Sequence, residues 1–71
     1  MNLTSNEKLG AVTEIRPKAL FQVRLESGQV IVASLGTQLR QVTVRLLVGQ
    51  KVIVRLSTHD PHRGQIIQIA P

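Results

Sequence analysis

Hydrophobic and polar residues alternate most cleanly from Leu20 to Glu26. Phe21, Val23 and Leu25 fall on one side, and Gln22, Arg24 and Glu26 on the other. A period of two is the mark of a half-buried β-strand. A first strand is predicted from Gly10 to Arg16, with Val12 and Ile15 as its apolar content and a bulge breaking the alternation. Arg16-Pro17-Lys18 makes the turn that follows, because proline fixes φ and has no N–H to give a ladder. Glu26-Ser27-Gly28-Gln29 reads as a tight hairpin in which Gly28 supplies a positive φ. The third strand, Val30 to Leu35, is nearly all apolar, the pattern of a strand buried on both faces. Gly49-Gln50 makes a turn before a fourth strand, Lys51 to Ser57, with Val52, Val54 and Leu56 inward and Lys51 and Arg55 outward. A loop from Thr58 to Gly64 leads into the last strand, Gln65 to Ala70, which carries Ile66, Ile67 and Ile69. Gly28, Gly49 and Gly64 are all read as turn residues.

The segment after the third strand follows another rule. Leu35, Leu39, Val42 and Leu46 have helical spacing, and Thr37 is an acceptable N-cap. The β-branched run Val42-Thr43-Val44 weakens a helix. The prediction is a short helix from Thr37 to Gln41, then an extended segment to Leu47. Five short strands with one short helix between the third and fourth is the order of an OB-fold, an all-β barrel. An SH3-like barrel is the competing architecture. It also has five strands but usually lacks a helix at that point. Residues 1–8 are expected to form a flexible polar tail, and residues 9–71 a single OB-fold domain.

Length and composition narrow the function. A chain of 71 residues without cysteine makes one small domain. A domain of this size buries only about 60% of its unfolded surface, so its stability is marginal. An active-site cleft between domains is excluded. The longest apolar runs, Val30 to Ala33 and Leu46 to Val48, fall far short of the roughly 20 residues of a membrane span. No secretory or transit signal is read in the polar N-terminus, and a cytoplasmic location is expected. Nine Lys/Arg against four Asp/Glu give a net charge of +5, which favours polyanionic partners, nucleic acid first. No acidic residue occurs between Glu26 and Asp60, while Arg40, Arg45, Lys51 and Arg55 fall there, so one strongly positive side is expected.

Catalytic signatures are absent. No phosphate-cradling glycine loop and no H-E-x-x-H motif occur, and the scattered acids form no close pair. His59-Asp60-Pro61-His62 is the densest polar cluster, but no further Cys or His completes a four-ligand zinc site, and a turn with exposed histidines is expected. Ser57, His59 and Asp60 sit too close along the chain for triad geometry. The single aromatic, Phe21, points inward, so no base-stacking platform is offered. Nucleic-acid binding would then rest on phosphate contacts, shape and arginine planes, which favours a structured RNA over a generic single strand.

These residues together resemble bacterial translation initiation factor one. The resemblance runs from Gly10 to Ile69. It is carried by Gly10, Val12 and Pro17, then by Phe21-x-Val23-x-Leu25-Glu26-x-Gly28 and Ala33. Leu39-Arg40 and Val44-Arg45-Leu46-Leu47-x-Gly49 are the most specific part. Lys51-Val52-x-Val54-x-Leu56, Asp60 and Gly64-x-Ile66 complete it. The resemblance implies a non-enzymatic, cofactor-free factor that binds the decoding region of small-subunit ribosomal RNA. Such factors cover the aminoacyl-tRNA site, keep elongator tRNA out and act with other initiation factors. It carries RNA contact to Arg40 and Arg45, and to Arg63 in the loop.

The chain departs from the family pattern at several positions. Gln38 and Gln65 stand where basic residues are usual, and Gly36-Thr37 replaces Ser-Gly. Thr43 and His59 stand where aromatics are typical, and Ala70-Pro71 replaces a basic end. From the residues themselves, Arg16, Lys18, Lys51, Arg55 and His59 join Arg40, Arg45 and Arg63 as candidate RNA-binding side chains. A monomer is expected. A general RNA-binding OB module and a protein-interaction barrel are the alternative readings.

Overall fold

The computed structural model describes residues 6–36 and 46–70. They form five strands: β1 (Glu7–Arg16), β2 (Leu20–Leu25), β3 (Val30–Leu35), β4 (Lys51–Leu56) and β5 (Arg63–Ile69). The strands close into a barrel in the order β1-β2-β3-β5-β4. The first three form an antiparallel meander, and β4 returns to pair antiparallel with β1. The seam is closed by β5, parallel to β3 and antiparallel to β4. This closed five-stranded arrangement is consistent with an OB-fold, and each described strand has a paired neighbour on both sides. The expected helix over residues 37–41 falls outside the described residues, as does most of the extended segment after it.

The barrel is filled from all its walls. Val12, Phe21, Val23, Leu25, Ile31, Ala33, Leu46, Val52, Val54 and Ile66 form one buried cluster. Its members alternate along each strand, as the period of two requires. Phe21 stands in register with Ala33, and Ala33 with Gly64. The one large ring thus faces two small residues across the sheet, which is how a narrow barrel accommodates it.

Four expectations are corrected. First, β1 begins at Glu7, not Gly10, so Glu7 and Lys8 belong to the barrel rather than to a tail. Glu7, Lys8 and Leu9 pair with Arg55, Val54 and Ile53. Strand β4 needs a partner on that side, and the ladder recruits polar residues to supply it. Second, β3 is not buried on both faces. Val30 is 45% exposed and Val32 half-buried, so the outer face of β3 is only partly covered. Third, Ile15 does not enter the core. The expected bulge lies between Val12 and Glu14, and beyond it Ile15 is 48% exposed. Fourth, Gly64 is the second residue of β5 rather than part of a turn. A Cβ there would stand 2.6 Å from the Arg55 carbonyl oxygen, so glycine is needed for strand approach. Gly28 and Gly49 do occupy turns with positive φ, as expected.

The β1–β2 connection, Pro17-Lys18-Ala19, places both Lys18 and Ala19 in the left-handed region, at φ 65° and 57°. That conformation costs a residue bearing a side chain roughly 1–2 kcal/mol. Ala19→Gly is therefore expected to raise stability by about 0.5–1 kcal/mol, after the greater freedom of glycine in the unfolded chain is subtracted. Thermal or urea denaturation measures the change, and a loss of stability would contradict it.

Candidate nucleic-acid interface

Among the described residues an open groove of ≈ 380 Å³ lies where β4 ends and β5 begins. Arg55, Leu56, Ser57, Thr58, Arg63, Gly64 and Gln65 line it. Arg55 and Gln65 are opposed across the β4–β5 ladder, so both project outward from the barrel. Arg63 lies beside Val32 on the same outer wall. Two guanidiniums, two hydroxyls and an amide thus share one concave surface. Guanidiniums bind phosphate bidentately, while hydroxyls and amides donate to its remaining oxygens.

Both arginines are held by carboxylates yet remain open to solvent. Arg55 Nη2 donates to Glu7 Oε2 at 3.4 Å, with the Arg55 side chain 58% exposed. Arg63 Nε lies 3.9 Å from Asp60 Oδ2, with its side chain 69% exposed. The Arg63–Asp60 pair, open on both sides, contributes only about 0–1 kcal/mol to stability, while the Glu7 side chain facing Arg55 is 18% exposed. The consequence of both pairs is orientation, and a phosphate can compete for the free donors.

The loop that carries Arg63 is cross-linked throughout. Ser57 Oγ accepts from the His59 and Asp60 N–H groups at 3.2 and 3.3 Å. Asp60 Oδ1 accepts from His62 N–H at 2.9 Å. Ser57 N–H donates to the Arg63 carbonyl, and Arg63 N–H to the Asp60 carbonyl. Val32 N–H reaches the His62 carbonyl, and Gln29 Nε2 donates to the Pro61 carbonyl at 2.9 Å. Residues 57–62 therefore form a clamped turn with His59 and His62 exposed, as expected. Among the described residues no group of three metal-capable side chains occurs. Ser57→Ala removes the acceptor for two N–H groups. It is expected to cost about 1 kcal/mol and to speed amide exchange at His59 and Asp60 relative to β5. Unchanged exchange at those amides would show that the hydroxyl does not hold the loop.

The remaining candidates are spread over the surface. Lys51 and Arg55 share the outer face of β4, as expected, four residues or roughly 13 Å apart. Arg16 and Lys18 stand at the β1–β2 hairpin, where Arg16 Nη2 donates to Gln22 Oε1 at 2.7 Å. His59 belongs to the clamped loop but does not line the groove. Arg40 and Arg45 lie outside the described residues. The structure thus unites Arg55 with Arg63 and leaves Arg16, Lys18 and Lys51 elsewhere. Sequence reasoning missed Ser57, Thr58 and Gln65 as groove residues, since only the β4–β5 register assembles them. It also passed over Arg24, whose outward phase in β2 was visible in the alternation.

Comparison with known proteins agrees with this architecture. The family model for translation initiation factor 1A / IF-1 matches residues 1–70. The solution structure of translation initiation factor one from the Wolbachia endosymbiont strain TRS of Brugia malayi is similar, with a TM-score of 0.75 and 31% sequence identity. That match covers 92% of this chain and 77% of the other. This likeness is consistent with the OB-fold reading of the barrel. With nearly the whole length matched by the family and the barrel shared with a solved member, the chain belongs to the translation initiation factor 1A / IF-1 family.

Proposed function

We infer that this chain binds ribosomal RNA at the decoding region of the small ribosomal subunit and covers the aminoacyl-tRNA site. There it keeps elongator tRNA out during initiation and acts beside other initiation factors. The observation that carries this reading is family membership over nearly the full length. The clamped Arg55–Arg63 groove supports it from the chemistry, as a surface made for phosphate. The role is that of a steric and electrostatic plug: no catalysis and no cofactor enter. No described helix is long and apolar enough to cross a membrane.

Within this reading Arg40 and Arg45 contact RNA, alongside Arg63. Arg40→Ala and Arg45→Ala are each expected to weaken small-subunit binding by about 1–3 kcal/mol, the scale of hydrogen bonds to charged groups. Chemical probing of decoding-region bases tests the location. The wild-type chain should protect those bases, and the double variant should lose the protection at equal concentration. Protection elsewhere on the subunit, with the decoding region unchanged, would refute the assignment.

A further inference from the structure

We propose that Arg24 and Lys51, brought together across Ala11, form a second phosphate-contacting surface on the barrel wall, separate from the Arg55–Arg63 groove. This rests on the RNA-binding reading above. Ala11 pairs with Arg24 of β2 on one side and Lys51 of β4 on the other. Residues directly opposed in a ladder project to the same face, so all three side chains stand on the outer wall. Arg24 and Lys51 are then two strands apart, roughly 10 Å between backbones. Both are exposed, and the small Ala11 keeps the floor between them open. The same row continues to Val30, opposite Arg24 on β3 and 45% exposed.

The pairing state of these cations differs from that in the groove. Arg55 and Arg63 each have a carboxylate beside them. Arg24 and Lys51 make no ion pair among the described residues. The acids nearest in sequence register are Glu26, two residues beyond Arg24, and Glu14, in register with Gln22. Neither forms an ion pair with the two cations. Two free cations on a shallow wall with one exposed apolar neighbour fit a sugar–phosphate backbone. Val30 is the one exposed large apolar side chain among these described row residues, too little by itself to anchor a protein hot spot.

The test is the salt dependence of binding to isolated small ribosomal subunits. Each phosphate contact contributes about 0.7–0.9 to the slope of log K against log salt. Arg24→Gln with Lys51→Gln is expected to flatten that slope by about 1.4–1.8. The affinity lost between 50 and 200 mM salt should then shrink by about tenfold relative to wild type. A second variant adds Glu14→Gln and Gln68→Lys to these two changes, restoring the net charge at other exposed positions. It should bind as weakly as the double variant. Melting curves confirm that each variant is folded.

If the double variant matches wild type in affinity and slope, the surface is not used and the proposal falls. Recovery by the charge-restored variant would reduce the row to long-range attraction and would equally overturn it. Unchanged RNA binding with lost binding to polyglutamate would assign the row to an acidic protein partner instead. Failure of the wild-type chain to bind the subunit at all would refute the ribosomal reading itself, a result distinct from each of these.

Discussion

Ile66→Ala is expected to lower stability by about 2–5 kcal/mol, the range for truncating a fully buried aliphatic side chain. Ile66 is 0% exposed and pairs with Leu35 on β3 and Val54 on β4. It therefore sits on the strand that closes the barrel, with a wall on each side. A cavity there cannot be filled by one flexible neighbour, since both adjacent strands are fixed by their ladders. Domains of this length have roughly 4–11 kcal/mol in total, so the loss is a large part of the whole. The melting temperature should fall by at least about 10 °C. The adjacent Ile67, half-buried on the other face, is the control: Ile67→Ala should cost about 1 kcal/mol or less. Equal losses at both positions would contradict the inward and outward assignment of β5.

Arg55→Gln combined with Arg63→Gln is expected to weaken binding to the small subunit by about 2–3 kcal/mol, or roughly 30- to 150-fold. Both guanidiniums line the groove, and glutamine keeps part of the length while removing the charge. The Arg63–Asp60 pair is open to solvent and its loss should cost folding no more than about 1 kcal/mol, whereas the Glu7 side chain is only 18% exposed, so the Arg55 change carries the larger share of any folding cost. Loss of binding with a near-normal melting temperature is the expected signature. Glu7 and Asp60 remain after the change and add a repulsive contribution toward phosphate, so the measured loss includes it. A variant that binds like the wild type would show that the groove faces away from the RNA.

The strands were legible because their side chains obey a period of two that turn residues interrupt. Phe21, Val23 and Leu25 are buried, as their alternation required, and Lys51 and Arg55 face outward. What the sequence left hidden depends on residues distant along the chain. Glu7 and Lys8 carry no apolar signal, and they are extended only because β4 stands beside them. Gly64 resembles a loop glycine until β4 approaches within reach of its missing Cβ. Ile15 looks like core until the bulge is placed. The site shows the same division. Arg63 was identified from family resemblance and Arg55 from its strand face, but their common groove follows from the β4–β5 register. The nearness of Arg24 to Lys51 follows from β1 lying between β2 and β4. Arg40 and Arg45, the residues with the most specific sequence signal, lie outside the described residues.

The central claim is that this barrel recognises the small ribosomal subunit rather than polyanions in general. The direct measurement is binding of the purified chain to isolated small subunits at physiological salt, with excess unrelated structured RNA as competitor. Saturable one-to-one binding that survives the competitor is the predicted result. Binding erased by the competitor would contradict the account, because a chain that any structured RNA can titrate away does not select the decoding site.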